Sequence, residues 1–452
     1  MAIKSNKQYL FMTMKIRKTD DPILRQPTEK VVDFGFETQA LIDQMIETMR
    51  KANGIGLAAP QVGSATKMIV CEFEAEADSK VPSFPLTVLC NPEIVHYSKN
   101  EHNMVEGCLS FPGLEILIKR PSEVKVTGQD RYGKNVTITA DKLFGRVLQH
   151  EIDHLNSTLL IDHIQETDII FVGTGTLGAP ALEMLALDPQ YNVKLVITGN
   201  SQATSRSHDE LTNIIEDTAK KYKLPILKTD NINDPEVVKK INELKPEVGI
   251  LADFGQMISD DILNIPRLGL INIHPSILPR HRGPSPLQQT ILDGDKLAGV
   301  SLILTGSKMD AGALISQLSV RLSGSETTTI LKDYLARAGA TQLLNALPYY
   351  IAGDLVPEPQ DDSKATYNKL FKKEDGFVDE NTPAKIVERK IRAFDAWPKV
   401  YTIVKGKRVQ LLAAHYDEEK QLVIDRVKPE GKQEMSYDDF VRGYHVTLTF
   451  KG

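Results

Sequence analysis

Between residues 37 and 53, apolar positions recur at helical spacing. Leu41, Ile42, Met45, Ile46 and Met49 share one face, and Gly54 stands where the residue after a helix end belongs. The runs 67–73, 86–95 and 123–127 are short, apolar and β-rich, and 141–156 reads as a second helix, one that carries two histidines. This mixture predicts an α+β domain over residues 1–165. The pattern changes at Asp168. Short apolar strands at 168–173, 193–198, 247–252 and 270–273 alternate with helical stretches such as 209–222 and 234–244. Strands separated by helices call for right-handed crossovers and a doubly wound parallel sheet, which places an α/β domain at 166–357. Around Pro357, Pro359, Asp361, Asp362 and Ser363 the chain turns polar, as a linker over 358–366 would. A helix near 383–394 and strand-like runs at 400–404, 409–413, 422–427 and 444–450 then predict a small OB-like β-barrel over 367–452.

Length and composition are compatible with this multi-domain arrangement. A chain of 452 residues exceeds one ordinary core, and 41% apolar with 25% charged residues lets each domain bury a core and stay soluble. The net charge of −6 argues against a strongly basic nucleic-acid binder, although residues 364–452 carry 18 basic against 14 acidic side chains. The three cysteines, Cys71, Cys90 and Cys108, are too few and too irregular for a disulfide framework, which points to a reducing compartment. No apolar run approaches the roughly 20 residues of a membrane span, so no membrane partner is expected. The first 18 residues are basic but lack the alternating Arg and Ser of an organelle presequence, and a cytoplasmic location is expected.

Candidate chemistry sits first on the histidine helix. His150 and His154 are four apart, so both imidazoles project from one helical face and can chelate one metal, and Glu151 lies beside the first. A carboxylate there can take a proton from water activated at the metal. His-Glu-x-x-His alone also fits surface histidines or a zinc protease. The metzincin variant needs Gly and His where Ser157 and Leu160 stand, and is excluded. Gly54-Ile55-Gly56-Leu57-Ala58-Ala59-Pro60-Gln61, Glu106-Gly107-Cys108-Leu109-Ser110 and Gln149-His150-Glu151-Ile152-Asp153-His154 together resemble the three signature motifs of the peptide deformylase family. The resemblance covers nearly all of residues 14–165. It implies that Cys108, His150 and His154 bind a divalent metal, Fe2+ rather than Zn2+, although the ligand types alone fit either. It also implies that Glu151 shuttles protons, and that the Gln61 side chain and the Leu109 backbone N–H stabilise the oxyanion. The implied substrate is a formylated nascent peptide, at or away from the ribosome.

A second constellation lies downstream. Gly173-Thr174-Gly175-Thr176-Leu177-Gly178 follows a strand and opens a helix, as a dinucleotide fingerprint does. No acidic residue closes the second strand near 198–201 to hold an NAD ribose, although Arg206 would suit NADP. Asn272-Ile273-His274-Pro275-Ser276-Ile277-Leu278-Pro279-Arg280-His281-Arg282-Gly283-Pro284, with Met309-Asp310-Ala311-Gly312, is similar to the catalytic segments of folate-dependent formyltransferases. Phe171-Val172-Gly173-Thr174 and Ile391-Arg392-Ala393-Phe394-Asp395-Ala396-Trp397-Pro398 extend the likeness to the methionyl-tRNA formyltransferase family, over about residues 168–452. That resemblance implies 10-formyltetrahydrofolate as formyl donor, with Asn272 polarising the formyl carbonyl, His274 managing the amine proton and Asp310 orienting His274. It further implies a folate site lined by Ser276, Ile277, Leu278 and Pro279, and initiator tRNA charged with methionine as partner. His281 lies outside the pattern and reads as surface.

Two features depart from the family. Gly175 replaces its usual proline, and the 199–208 loop is short with one arginine. Lys369, Lys372, Lys373, Lys405, Lys407 and Arg408 are candidates for phosphate contacts or simply a solvated charged face. The expected protein is a bifunctional fusion of opposed formyl chemistries. The rival readings are one inactive half that serves as a binding module, or a second half that formylates an amino-sugar nucleotide or is an NADP-dependent reductase.

Overall fold

The computed structural model describes residues 13–199 and 213–451. The chain divides into two compact units, Met1–Gln165 and Glu166–Gly452.

In the first unit, five strands form an antiparallel sheet in the order Gly56–Ala58, Met68–Phe73, Phe84–Tyr97, Glu123–Gln129, Asn135–Asp141. Helix Lys142–Leu155 lies against it because Val147, Leu148, Ile152 and Leu155 recur at helical spacing and pack with Ala58, Ile69, Val124 and Val126. Each such fully buried aliphatic side chain contributes about 1.5–3 kcal/mol. Helix Phe36–Lys51 buries Ile42, Met45, Ile46 and Met49 against Leu57, Met68, Val70 and Cys90 in a neighbouring cluster. Sequence periodicity did not reveal a separate hairpin, Glu101–Cys108 with Phe111–Pro121. One reason is that its inward positions include the charged Glu106 and Arg120, which break the apolar alternation.

The second unit is built on a seven-stranded sheet in the order Ile226–Lys228, Tyr191–Thr198, Thr167–Gly173, Val248–Ala252, Leu270–His274, Leu297–Leu304, Leu314–Arg321. The first five strands are parallel, and the last two add antiparallel, so the sheet is mixed, not wholly parallel as expected. Between Leu304 and Leu314 no helix intervenes, and a short connection of that kind can only return antiparallel. Strand order reverses between Thr167–Gly173 and Val248–Ala252, which puts a switch-point crevice at the carboxyl ends of these strands and their neighbour Leu270–His274. The helix expected over 209–222 is present as Ile214–Lys221, and its first residues lie outside the described ones. Residues 358–368 do not hang free as a linker would. Glu358 pairs with Leu314 and Tyr367 with Arg282.

Toward the C-terminus, Val400–Val404, Lys407–Tyr416, Leu422–Pro429 and Met435–Ser436 form a four-stranded antiparallel sheet. Among the described residues no ladder closes it into the expected barrel. The strand expected at 444–450 is absent from the sheet. Helix Tyr437–Tyr444 occupies its start, and the Leu448 N–H donates to the Tyr437 hydroxyl at 2.6 Å instead of to a neighbouring strand. No helix among the described residues is long and apolar enough to cross a membrane.

Candidate functional sites

Helix Lys142–Leu155 presents His150 and His154 one turn apart, and strand Glu101–Cys108 ends on Cys108 facing them. Cys108 Sγ lies 3.3 Å from His154 Nε2, and one donor atom from each of the three residues falls within 4.8 Å of the others. A tetrahedral ion with ligands at roughly 2.0–2.3 Å holds its donors about 3.6 Å apart, so a thiolate and two imidazoles so placed fit a divalent metal. The second shell agrees. Glu106 Oε2 sits 2.9 Å from His150 Nδ1, and because a carboxylate only accepts, that nitrogen carries the proton and Nε2 is left as the ligand. Arg120 at 2.7 and 2.9 Å and Arg146 at 2.9 Å hold the same carboxylate. Burial alone would raise the Glu106 pKa, but His150 and Arg120 bring it well below the usual carboxylate range. Glu106 opens the second motif, yet its orienting role, like those of Arg120 and Arg146, has no signature in spacing.

Glu151 is buried against the site with Oε2 unpartnered, and burial pushes its carboxyl up to about 7. Gln61 accepts from the Ala58 N–H at 2.8 Å through Oε1. That bond turns its Nε2 toward Ser110 Oγ at 3.3 Å and Cys108 Sγ at 3.5 Å. The Leu109 carbonyl accepts from Lys18 Nζ at 2.7 Å. Gly54, Gly56, Gln61, Cys108, Leu109, His150 and Glu151 all line one cavity of about 620 Å³.

In the second unit, alternation along Leu270–His274 sends Asn272 and His274 to the same side at the strand's carboxyl end. Asn272 Nδ2 donates toward Asp310 Oδ1 at 3.4 Å, and His274 Nδ1 lies 3.6 Å from the same oxygen. The Gly283 N–H at 2.8 Å fixes Asp310 Oδ2. His274 Nε2 donates to the His281 carbonyl at 3.1 Å, which in the neutral ring leaves Nδ1 as the lone-pair nitrogen on the side of Asp310. Burial pushes the His274 pKa below its ordinary value of 6.5, against the opposing pull of Asp310.

Asn272, His274 and Asp310 line a cavity of about 350 Å³, with Asp253, Phe254, Gln256 and Met257 on one wall and Thr305, Lys308 and Met309 on another. Ser276, Ile277, Leu278 and Pro279, expected as folate residues, are not among its lining. Ser276 Oγ donates to the Arg280 carbonyl at 2.8 Å and the Leu278 N–H donates to Ser301 Oγ at 3.1 Å, so this segment braces the turn after His274. The wall at 253–258 follows a parallel strand at the switch point, a topological signal available before any motif. His281 is buried rather than at the surface, with Nε2 2.7 Å from Asp295 Oδ2. Arg280 also binds that carboxylate, at 2.7 Å, so Asp295 in the His281, Asp293, Asp295 cluster already has a cationic partner. Of the candidate phosphate contacts, Lys372, Lys373 and Lys407 are exposed, Lys369 pairs with Asp375, Lys405 caps the Tyr444 carbonyl, and Arg408 stacks 3.7 Å over the Tyr401 ring. The loop at 199–208 and Arg206 lie, apart from Gly199, outside the described residues.

Comparison with known proteins matches the two units to two families. Residues 13–169 match the family model for polypeptide deformylase, 168–347 that for formyl transferase, and 370–422 that for the formyl transferase C-terminal domain. Methionyl-tRNA formyltransferase of Roseiflexus castenholzii is 34% identical over 302 residues, covering 62% of this chain and 96% of the relative, and that of Bacillus subtilis is 30% identical over 304 residues, covering 62% and 96%. A solved structure of peptide deformylase from Thermotoga maritima is 36% identical, covering 34% of this chain and 99% of its own, with a TM-score of 0.31. The chain therefore belongs, from residue 168 onward, to the methionyl-tRNA formyltransferase family, and carries a peptide deformylase domain ahead of it.

Proposed function

We propose that the two units catalyse opposed steps of N-terminal formyl chemistry: transfer of a formyl group from 10-formyltetrahydrofolate to methionyl-initiator tRNA, and its hydrolytic removal from nascent peptides, both in the cytoplasm. The observation that carries this is the pairing on one chain of two separate cavities. One is bordered by Cys108, His150 and Glu151, and the other by Asn272, His274 and Asp310. The assignment follows the domain division proposed from the sequence, with a deformylase at 1–165, a transferase catalytic domain at 166–357 and a tRNA-contacting domain at 367–452.

In the first unit, Cys108, His150 and His154 would hold the metal, with Fe2+ favoured by the family likeness. Bound there, a divalent ion supplies Lewis acidity toward the formyl carbonyl and toward water. Glu151 takes the proton of the attacking water and passes it to the departing amine as the C–N bond breaks and formate leaves. Gln61 Nε2 and the Leu109 N–H donate to the oxygen that gains charge. In the second unit, the methionyl amine attacks the formyl carbon, His274 Nδ1 takes the amine proton, and the proton ends on the folate nitrogen as its bond to the formyl carbon breaks. Asn272 Nδ2 donates to the formyl oxygen, and Asp310 pairs with the imidazolium that forms.

The test uses the full chain. A His150→Ala variant loses metal and deformylation and keeps formyl transfer, and a His274→Ala variant does the reverse. Loss of both activities in either variant counts against two independent sites.

A further inference from the structure

Gln360 lies in the polar stretch that reads as a linker, yet its amide makes four hydrogen bonds, as many as it has capacity for. Nε2 donates to the carbonyls of Asp310 at 2.8 Å and Gly312 at 2.7 Å, and Oε1 accepts from Arg282 Nε at 3.1 Å and Nη2 at 2.8 Å. Arg282 is itself fully buried and is fixed further by Asp362 at 2.7 Å and the Tyr367 hydroxyl at 3.0 Å. Asp310 is the side chain that faces Asn272 and His274, and its backbone is left-handed at φ +50°, a region an aspartate adopts only at a cost of about 1 kcal/mol or more. Its carbonyl is tied down by Gln360, and its carboxylate by the Gly283 N–H next to Arg282.

From this chain of bonds we infer that Gln360 is a positioning residue of the transfer site: it holds Asp310 in its left-handed conformation, so the strap at 358–368 belongs to the catalytic apparatus and is not a tether. The inference rests on the formyl-transfer reading of Asn272, His274 and Asp310. Without the amide, the Asp310 backbone is free to relax, its carboxylate withdraws from His274, and the imidazolium formed during transfer loses its counter-charge. Gln360 itself is not among the cavity's lining residues and acts there only through Asp310, whose counter-charge matters most once the imidazolium forms, so KM is expected to change far less than kcat.

The experiment measures kcat and KM for 10-formyltetrahydrofolate with methionyl-initiator tRNA on the full chain and on three variants. Gln360→Met removes all four bonds, Gln360→Glu keeps the acceptors and loses the donors, and Asp362→Ala removes an exposed partner of Arg282. Expected for both Gln360 variants is a fall in kcat of about 10- to 100-fold with KM within about twofold. Asp362→Ala shows a smaller fall in the same parameter. Deformylation of a formyl-methionyl peptide by the same preparations normalises the amount of active chain. If the unaltered chain transfers formyl and folded Gln360→Glu keeps its kcat, the Gln360 assignment is overturned on its own. If Gln360→Met fails to fold, an unchanged kcat in Gln360→Glu and Asp362→Ala overturns it equally. An unaltered chain with no transfer overturns the reading of the site itself, and the assignment with it.

Discussion

A Cβ placed on Gly56 would lie 2.2 Å from Glu151 Oε1 and 2.9 Å from Val147 Cγ1, so the first residue of strand Gly56–Ala58 and the histidine helix meet with no room for a methyl group. Gly56 is therefore required for space, and what it makes room for is the carboxylate proposed to move protons in deformylation. The Gly56→Ala variant must displace Glu151, and a displacement near 1 Å at such a group costs about 100-fold in rate. The cysteine and two histidines are untouched. Measured together, kcat/KM on a formyl-methionyl peptide falls while metal content stays stoichiometric. Full activity in Gly56→Ala would show that Glu151 is not held against this strand during turnover.

Glu106 fixes His150 and at the same time neutralises two buried guanidiniums, Arg120 and Arg146. Glu106→Ala therefore has two consequences. Loss of the orienting bond weakens metal affinity by about 10- to 100-fold, read by competition with a chelator. Arg146 left with no carboxylate, and Arg120 left with Asp153 alone, destabilise the unit by about 3–5 kcal/mol, read by denaturant unfolding. Unchanged chelator competition would mean that His150 is oriented by something else.

The role proposed for His274 gives the transfer reaction a direction in pH. Burial depresses its pKa below 6.5, so the imidazole stays neutral and able to accept a proton at neutral pH. The acid limb of kcat/KM is expected below 6.5. The same shift enters folding: in that window the unfolded chain binds the proton and the folded chain resists it, so stability from this group is complete above 6.5 and declines as pH falls toward the folded value. In Asp310→Asn the opposing attraction is gone, and the acid limb moves lower still as the rate drops. An acid limb above 6.5 in the unaltered protein would contradict a buried, neutral His274.

The legible parts of this fold are those where chemistry or periodicity is local in the chain. His150 and His154 share a helical face by spacing alone, and Met45 and Met49 likewise announce a core face. Arg282 could not be read that way. It has the composition of a surface residue, and its full burial depends on Gln360, Asp362 and Tyr367, which lie about 80 residues on and carry no pattern of their own. The segment 276–279 is the complementary case. It neighbours the proposed catalytic residues in sequence, but Ser276 and Leu278 are buried and the wall of the cavity at His274 is formed by 253–258, which follows the adjacent strand.

The glycine sequence Gly173-Thr174-Gly175-Thr176-Leu177-Gly178 makes the most specific claim for a different cofactor, and the structure gives grounds to test it. In a dinucleotide site the middle glycine lets a diphosphate approach the backbone. Here a Cβ on Gly175 would lie 1.8 Å from Asp253 Oδ2, so that approach is already taken by a carboxylate. Asp253 is held in place, its carbonyl accepting from Thr174 Oγ1 at 2.7 Å and its carboxylate paired with Lys332 Nζ at 2.7 Å. A phosphate brought within about 4 Å of Asp253 would meet a repulsion of about 4 kcal/mol per pair of unit charges near the surface, only partly offset by Lys332. The glycines instead allow Thr167–Gly173 and Val248–Ala252 to pack closely, since a Cβ on Gly173 would meet the Ala252 carbonyl oxygen at 2.7 Å. Titration of the protein with NADPH, followed by its fluorescence, is accordingly expected to show no saturable binding, and Gly175→Ala to impair transfer by displacing Asp253 from the cavity wall it lines. Saturable NADPH binding competed away by 10-formyltetrahydrofolate would reverse this reading and restore the nucleotide to the crevice.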